Sequence, residues 1–309
     1  MKLLLTGAFP YTREQMERLR RRGFDISFIQ NERDPLTIRP EEVEVVVCNG
    51  LFLYHDISLF TNLSAIHLTS AGTDRVPVDY IQEKGIQLYR AEGVYSIPMA
   101  EWVILKLLEI YKNSHRFYYN QMNRKWEKER GLLELPGKRA AIIGYGSVGK
   151  EVAKRLRGFG LHITGLGRRA HCTNEELDEY HRIDQLENVL AKSDIAILTL
   201  PLSNETRHLF DEDKLSMMKE RSVLINVSRG GIIDEKALAQ ALREGRFLGV
   251  ALDVFEQEPL PEESPLWDMD EVLVTPHNSF VSDRTQQRLF DLIETNLTTL
   301  SKNRDCTVS

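Results

Sequence analysis

Short apolar runs separated by helix-like patterns fill the N-terminal third of the chain. Lys2–Thr6, Phe24–Ile29, Val43–Cys48, Ala65–Leu68 and Ile86–Tyr89 read as strands. Between the first two, Thr12–Arg22 reads as a charged helix stopped by Gly23. Strand, helix, strand in repetition implies a mostly parallel sheet covered on both faces. After Pro98 the pattern lengthens. From Met99 to about Trp126 it is helical, apolar through Trp102, Val103, Leu107 and Ile110, then aromatic at Phe117, Tyr118 and Tyr119. Such a face belongs to a core or to a subunit interface.

A second alternating unit starts at Lys138. It predicts strands at Arg139–Ile143, His162–Leu166, Ile195–Leu200, Ser222–Asn226, Gly249–Asp253 and Val272–Thr275. Helices are predicted from the glycine-rich turn to Phe159, near Leu186–Ala191, and over Asp213–Met218 and Glu235–Glu244. A last helix, about Asp283–Thr299, is expected to pack back on the first domain. The fold class expected is α/β, with two Rossmann-like doubly wound parallel-sheet domains and a cleft between them. Residues 1–98 with about 282–309 would form a flavodoxin-like substrate domain, and about 99–281 a dinucleotide-binding Rossmann domain.

Composition narrows the class. With 309 residues, 42% apolar and 28% charged, there is material for two ordinary cores, which argues against a disordered chain. No apolar run approaches the roughly 20 residues of a membrane-spanning helix. Met1-Lys2-Leu3-Leu4-Leu5 reaches Gly7 and Pro10 too soon for a secretory leader and reads as a buried strand. Cys48, Cys172 and Cys306 show no C-x-x-C spacing, which fits a reducing cytoplasm and predicts no metal site. A net charge of −6 disfavours nucleic-acid binding.

Candidate chemistry begins at Gly144-Tyr145-Gly146-Ser147-Val148-Gly149, which follows one predicted strand and opens a helix. Gly144 would permit the tight turn, Gly146 would let backbone approach a pyrophosphate, and Gly149 would let helix and strand pack closely. The helix N-terminus then offers N–H groups to phosphates. Where the second strand ends, NAD sites usually place a carboxylate for the ribose hydroxyls. Here the chain reads Gly165-Leu166-Gly167-Arg168-Arg169. Two guanidiniums suit a ribose 2′-phosphate, so NADP is expected as the preferred cofactor, with NAD as the alternative.

Three later segments each put a polar residue just past a predicted strand, where open α/β sheets bind ligands. They contain Arg229, Glu258 and His277. An Arg to hold a carboxylate and polarise a keto oxygen, a His to donate a proton and a Glu to fix the His tautomer would suit reduction of a 2-keto acid.

Taken together, these segments, with Ser70-Ala71-Gly72-Thr73-Asp74, Ala100-Glu101 and Thr199-Leu200-Pro201, resemble the D-isomer-specific 2-hydroxyacid dehydrogenases over nearly the whole chain. That group contains glyoxylate/hydroxypyruvate reductases, D-lactate dehydrogenases and phosphoglycerate dehydrogenases. The resemblance implies catalytic roles for Arg229, Glu258 and His277, and substrate-carboxylate binding by backbone at Ala71 and Gly72. It places Ser147 and Val148 over the pyrophosphate, has Pro201 and Val227 line the cofactor cleft, and turns Asp253 to the nicotinamide amide. It aligns Gly167 with the usual ribose-binding acid. It implies a homodimer through the cofactor domains and brings the loop holding Leu51 toward the substrate side chain. The expected partner is a small 2-keto or 2-hydroxy acid, with no membrane. The end at Ser309 leaves no expected room for a regulatory domain of the serine-regulated phosphoglycerate dehydrogenases. Two alternatives stand beside this reading. Formate dehydrogenases share the fold but carry Gln where Glu258 stands; dinucleotide-sensing corepressors of the superfamily bind cofactor without turnover.

Overall fold

A computed structural model describes residues 1–169 and 175–307, without the side chains of 303–307. Cys172 and the side chain of Cys306 therefore lie outside the described residues, while Cys48 is buried. The chain forms two compact units, Met1–Val94 with the segment from Ser282, and Tyr95–Val281.

In the first unit, strands β1 (Lys2–Thr6), β2 (Asp25–Ile29), β3 (Val45–Cys48), β4 (Ala65–Leu68) and β5 (Gln87–Tyr89) form one parallel sheet in the order β2-β1-β3-β4-β5. This is the flavodoxin-like order, with the switch point between β1 and β3. Helix α1 (Arg13–Arg21) starts from a reciprocal cap: Gln15 N–H donates to Thr12 Oγ1, and Thr12 N–H to Gln15 Oε1. Helix α2 (Val78–Glu83), which the apolar pattern had not marked, precedes β5.

The C-terminal helix, Thr285–Thr307, completes this unit. Its Phe290 stacks on Phe9, its Glu294 accepts from Arg18, and its Asn296 amide lies 3.1 Å from His67 Nε2. His67 is fully buried on β4, and burial pulls its pKa down to about 4. Its ring is held neutral, with Nδ1–H donating to the Leu68 carbonyl at 3.0 Å.

In the second unit, helices α3 (Ser96–Tyr111) and α4 (Ser114–Met122) replace the single helix expected from Met99 to Trp126. The break is Asn113, at φ +50°, a left-handed conformation that Asn tolerates. Pro98 sits in the first turn of α3, where its missing N–H is not needed. Strand β6 (Arg139–Ile143) follows, then α5 (Ser147–Arg157), β7 (His162–Gly167), β8 (Glu179–Arg182), α6 (Leu186–Leu190), β9 (Ile195–Leu198), α7 (Glu212–Met217), β10 (Ser222–Asn226), α8 (Glu235–Arg243), β11 (Phe247–Leu252) and β12 (Val272–Val274). Their parallel sheet runs β12-β11-β10-β9-β6-β7-β8. The order reverses between β6 and β9, so the turn after β6 lies at the switch point where such sheets bind ligands. No helix among the described residues is long and apolar enough to cross a membrane.

Candidate active site

The turn after β6 has the shape a dinucleotide needs. Gly144 adopts φ +99°, and a Cβ there would lie 2.4 Å from the Leu200 N. Gly149 is also confined, though less tightly, with Gly144 O and Ile142 Cγ2 both 3.0 Å from its notional Cβ. Gly146 is different. Its nearest protein atom would be 4.0 Å away, so the protein itself gives no reason to exclude a side chain there. An exposed glycine with open space before a helix is the cradle that backbone contact with a pyrophosphate requires. Helix α5 has no side-chain cap, and Ser147 and Val148 open it. Its N–H groups are thus disposed as in dinucleotide sites, and these residues fit a bound cofactor.

Arg168 and Arg169 follow β7 and are exposed. The apolar pattern missed β8, which is short, charged and at the sheet edge. With it was missed Arg182, in register with Gly167 and paired to Asp184 at 3.2 Å.

The three catalytic candidates converge in one unit because their backbones are tied together. Asn226 at the end of β10 accepts from Ser228 N–H and donates to the Arg229 carbonyl, shaping the turn that carries Arg229. Gly230 then lies directly on the Phe255–Glu256 backbone, where a Cβ would fall 1.8 Å from the Phe255 carbonyl carbon. Phe255 N–H donates to Glu258 Oε1 at 3.1 Å, and Glu258 Oε2 accepts from His277 Nδ1 at 2.8 Å. Burial pushes the Glu258 carboxyl up. The bonds from His277 and Phe255 N–H, with the nearby charges of His277 and Arg229, outweigh it and leave the pKa below the usual carboxylate range. Glu258 is therefore ionised at neutral pH, fixing Nδ1 as a donor and leaving Nε2 outside this pair.

His277 sits at φ +49°, an uncommon backbone for a non-glycine residue, and is only partly exposed. Asp253 holds that conformation. Its carboxylate accepts from Thr275 Oγ1 at 2.6 Å and from the N–H groups of Asn278 and Ser279 at 2.8 and 2.9 Å, bracketing His277 on both sides. Phe280 meets the His277 ring edge-on and Tyr95 in turn meets Phe280. Of these supports Asp253 lies in a segment the sequence singled out, whereas Phe280 and Tyr95 carried no motif signal.

Three expected site residues are buried. Asp253, expected at the nicotinamide amide, is fully buried and its carboxylate is committed to the His277 turn. Val227, expected to line the cofactor cleft, is 1% exposed because its side chain joins the core beside Val223 and Ile225. Leu51, expected near the substrate side chain, is fully buried, since the tight turn Leu51–Leu53 points it into the first unit's core. Leu53 and Tyr54 are the exposed apolar residues of that loop. Pro201 is exposed beyond β9, and Ala71 and Gly72 lie in the turn beyond β4. Among the described residues no group of three His, Cys, Asp or Glu side chains could hold a metal ion.

Residues 104–279 match the family model described as "D-isomer specific 2-hydroxyacid dehydrogenase, NAD binding domain". A glyoxylate reductase of Pyrococcus furiosus is 30% identical, the match covering 96% of this chain and 91% of that protein. A D-3-phosphoglycerate dehydrogenase of Methanocaldococcus jannaschii is 33% identical over 79% of this chain, which spans only 47% of that longer protein. Among solved structures, the D-isomer specific 2-hydroxyacid dehydrogenase of Xanthobacter autotrophicus Py2, in complex with NADPH and MES, superimposes with a TM-score of 0.78 at 28% identity. That likeness covers 95% of this chain and 92% of that one.

Proposed function

Because the chain belongs to the D-isomer specific 2-hydroxyacid dehydrogenase family, oxidoreductases whose nicotinamide dinucleotide-binding domain it carries, we propose that it reduces a small 2-keto acid to the D-2-hydroxy acid, with NADPH as the preferred donor. The observation that carries this reading is the 2.8 Å bond between His277 Nδ1 and ionised Glu258, beside Arg229 and in the same unit as the phosphate-binding turn. Glyoxylate reductases among the relatives and the NADPH named with the Xanthobacter structure support the substrate class and the cofactor.

When bound, the reduced nicotinamide supplies the hydride. The chain's own residues do the rest. Gly144, Gly146 and the start of α5 receive the pyrophosphate, and Arg168 and Arg169 the ribose 2′-phosphate. Arg229 pairs with the substrate carboxylate and draws charge onto the keto oxygen. Doubly protonated His277 delivers the Nε2 proton to that oxygen and is left neutral, still donating from Nδ1 to Glu258. A positioned acid of this kind is worth roughly 10²–10⁴-fold in rate. In the reverse direction neutral His277 accepts the hydroxyl proton.

The reading includes a homodimer through the dinucleotide-binding unit. Tyr118, Tyr119, Met122 and Trp126 are all more than half exposed, and Trp126 is 96% exposed. A stretch of large apolar side chains left in water marks a contact surface.

The test follows loss of reduced-nicotinamide absorbance with NADPH and NADH against glyoxylate, hydroxypyruvate, pyruvate, 2-ketobutyrate, 2-ketoisocaproate and phenylpyruvate. NADPH-dependent turnover of one or two acids is expected. Tight cofactor binding with no turnover of any would overturn the enzymatic reading in favour of a dinucleotide sensor.

A further inference from the structure

Two glycines, Gly165 and Gly167, lie on one face of β7, the strand whose end meets the adenine ribose in dinucleotide sites. At both positions an added side chain would meet a neighbouring side chain that must move to admit it. A Cβ on Gly165 would fall 2.8 Å from Leu177 Cδ1 and 3.2 Å from the Tyr145 ring. A Cβ on Gly167 would fall 2.5 Å from the Tyr180 hydroxyl oxygen and 3.4 Å from Tyr180 Cζ. Tyr180 comes from β8, whose backbone is locked to β7 with Tyr180 opposite Gly165 and Arg182 opposite Gly167. Strand side chains lean along the strand, so a tyrosine opposite Gly165 reaches over Gly167. Its ring also meets Tyr145, inside the phosphate-binding turn, edge-on at 6.2 Å between centroids.

We infer that Tyr180 bars the usual acid from this site by filling the volume from which a residue at position 167 would offer a carboxylate to the ribose. This deepens the NADPH reading and rests on it. The absence of an acid at 167 is then a packing consequence of β8, and Arg168 and Arg169 act on a ribose site that is already closed to the usual carboxylate.

The test is a double-mutant cycle with Gly167→Asp, Tyr180→Ala and the pair together. Binding of 2′,5′-ADP and of 5′-AMP is measured by titration calorimetry, with NADPH and NADH kinetics alongside. Gly167→Asp alone should weaken 2′,5′-ADP and gain little for 5′-AMP. The pair should bind 5′-AMP at least about tenfold more tightly than Gly167→Asp alone, the worth of a hydrogen bond to a charged group. Tyr180→Ala alone should leave 5′-AMP affinity unchanged, because it supplies no carboxylate. Equal 5′-AMP affinity for the single Gly167→Asp and the folded pair would overturn the inference. Failure of the NADPH reading appears separately, as wild-type protein that binds 5′-AMP as tightly as 2′,5′-ADP.

Discussion

Gly230→Ala tests whether the contact between two loops assembles the site. In the native chain a Cβ at 230 would lie 1.8 Å from the Phe255 carbonyl carbon, 2.1 Å from its oxygen and 2.4 Å from the Glu256 N. All three are backbone atoms, so no side chain can swing aside. Restoring an ordinary 3.4 Å contact requires the two segments to part by about 1.6 Å. Arg229 rides on one segment and Glu258, three residues past Phe255, on the other. Misplacement of a reacting group by about 1 Å costs on the order of 10²-fold. We therefore expect kcat/KM to fall by about 10²-fold or more, with overpacking costing about 1–3 kcal/mol of stability. The adjacent Gly231→Ala is the control. There the nearest atoms to a Cβ are all on side chains, Arg207 Nη1 at 3.3 Å and Leu202 Cδ2 and Cδ1 at 3.5 and 3.7 Å, and activity should stay within about threefold of wild type. Steady-state kinetics with thermal melts of both variants decide it. A folded Gly230→Ala protein with kcat/KM near wild type would refute the argument.

Gly146→Ala should leave the melting temperature unchanged, since its Cβ has open space. Calorimetry should nevertheless show NADPH binding weakened by at least about tenfold, because the methyl stands where the pyrophosphate approaches. His67 bears on acid stability. Its folded pKa of about 4 lies below the ordinary 6.5, so the unfolded chain takes the proton first. Stability from this residue is complete above about 6.5 and lost as pH falls toward 4, by about 3 kcal/mol in all. Urea titrations from neutral to acid pH should show a shallower decline for His67→Gln than for wild type. If the dimer forms through the exposed aromatic stretch, Tyr118→Glu with Trp126→Glu should sediment as a monomer while wild type sediments as a dimer.

Much of this was legible in the residues because strand and motif signals are local. Lys2–Thr6, Ala65–Leu68, Arg139–Ile143 and Ser222–Asn226 are strands with the bounds their apolar runs imply. The glycine fingerprint likewise marked its turn. What escaped depends on contacts distant in sequence. Glu179-Tyr180-His181-Arg182 carries no apolar alternation and becomes β8 only by pairing with β7. Asn113 breaks a helix whose hydrophobic period continues through it. Asp253 could be located by its motif, but its partners Thr275, Asn278 and Ser279 lie more than twenty residues on, so its support of the His277 turn was not legible. Which residue of the Leu51–Leu53 turn enters the core was likewise not legible, because all three are apolar or aromatic and the turn alone selects Leu51.

In the proposed reaction His277 is the proton donor, oriented by Glu258 and unconnected to cofactor binding. This role is tested most directly by His277→Gln, with kcat on the best keto acid and the NADPH dissociation constant measured on the same preparation. We expect kcat to fall by roughly 10²–10⁴-fold while NADPH affinity stays within about twofold. A variant that retains most of its turnover, or that loses NADPH affinity in proportion to its rate, would contradict it.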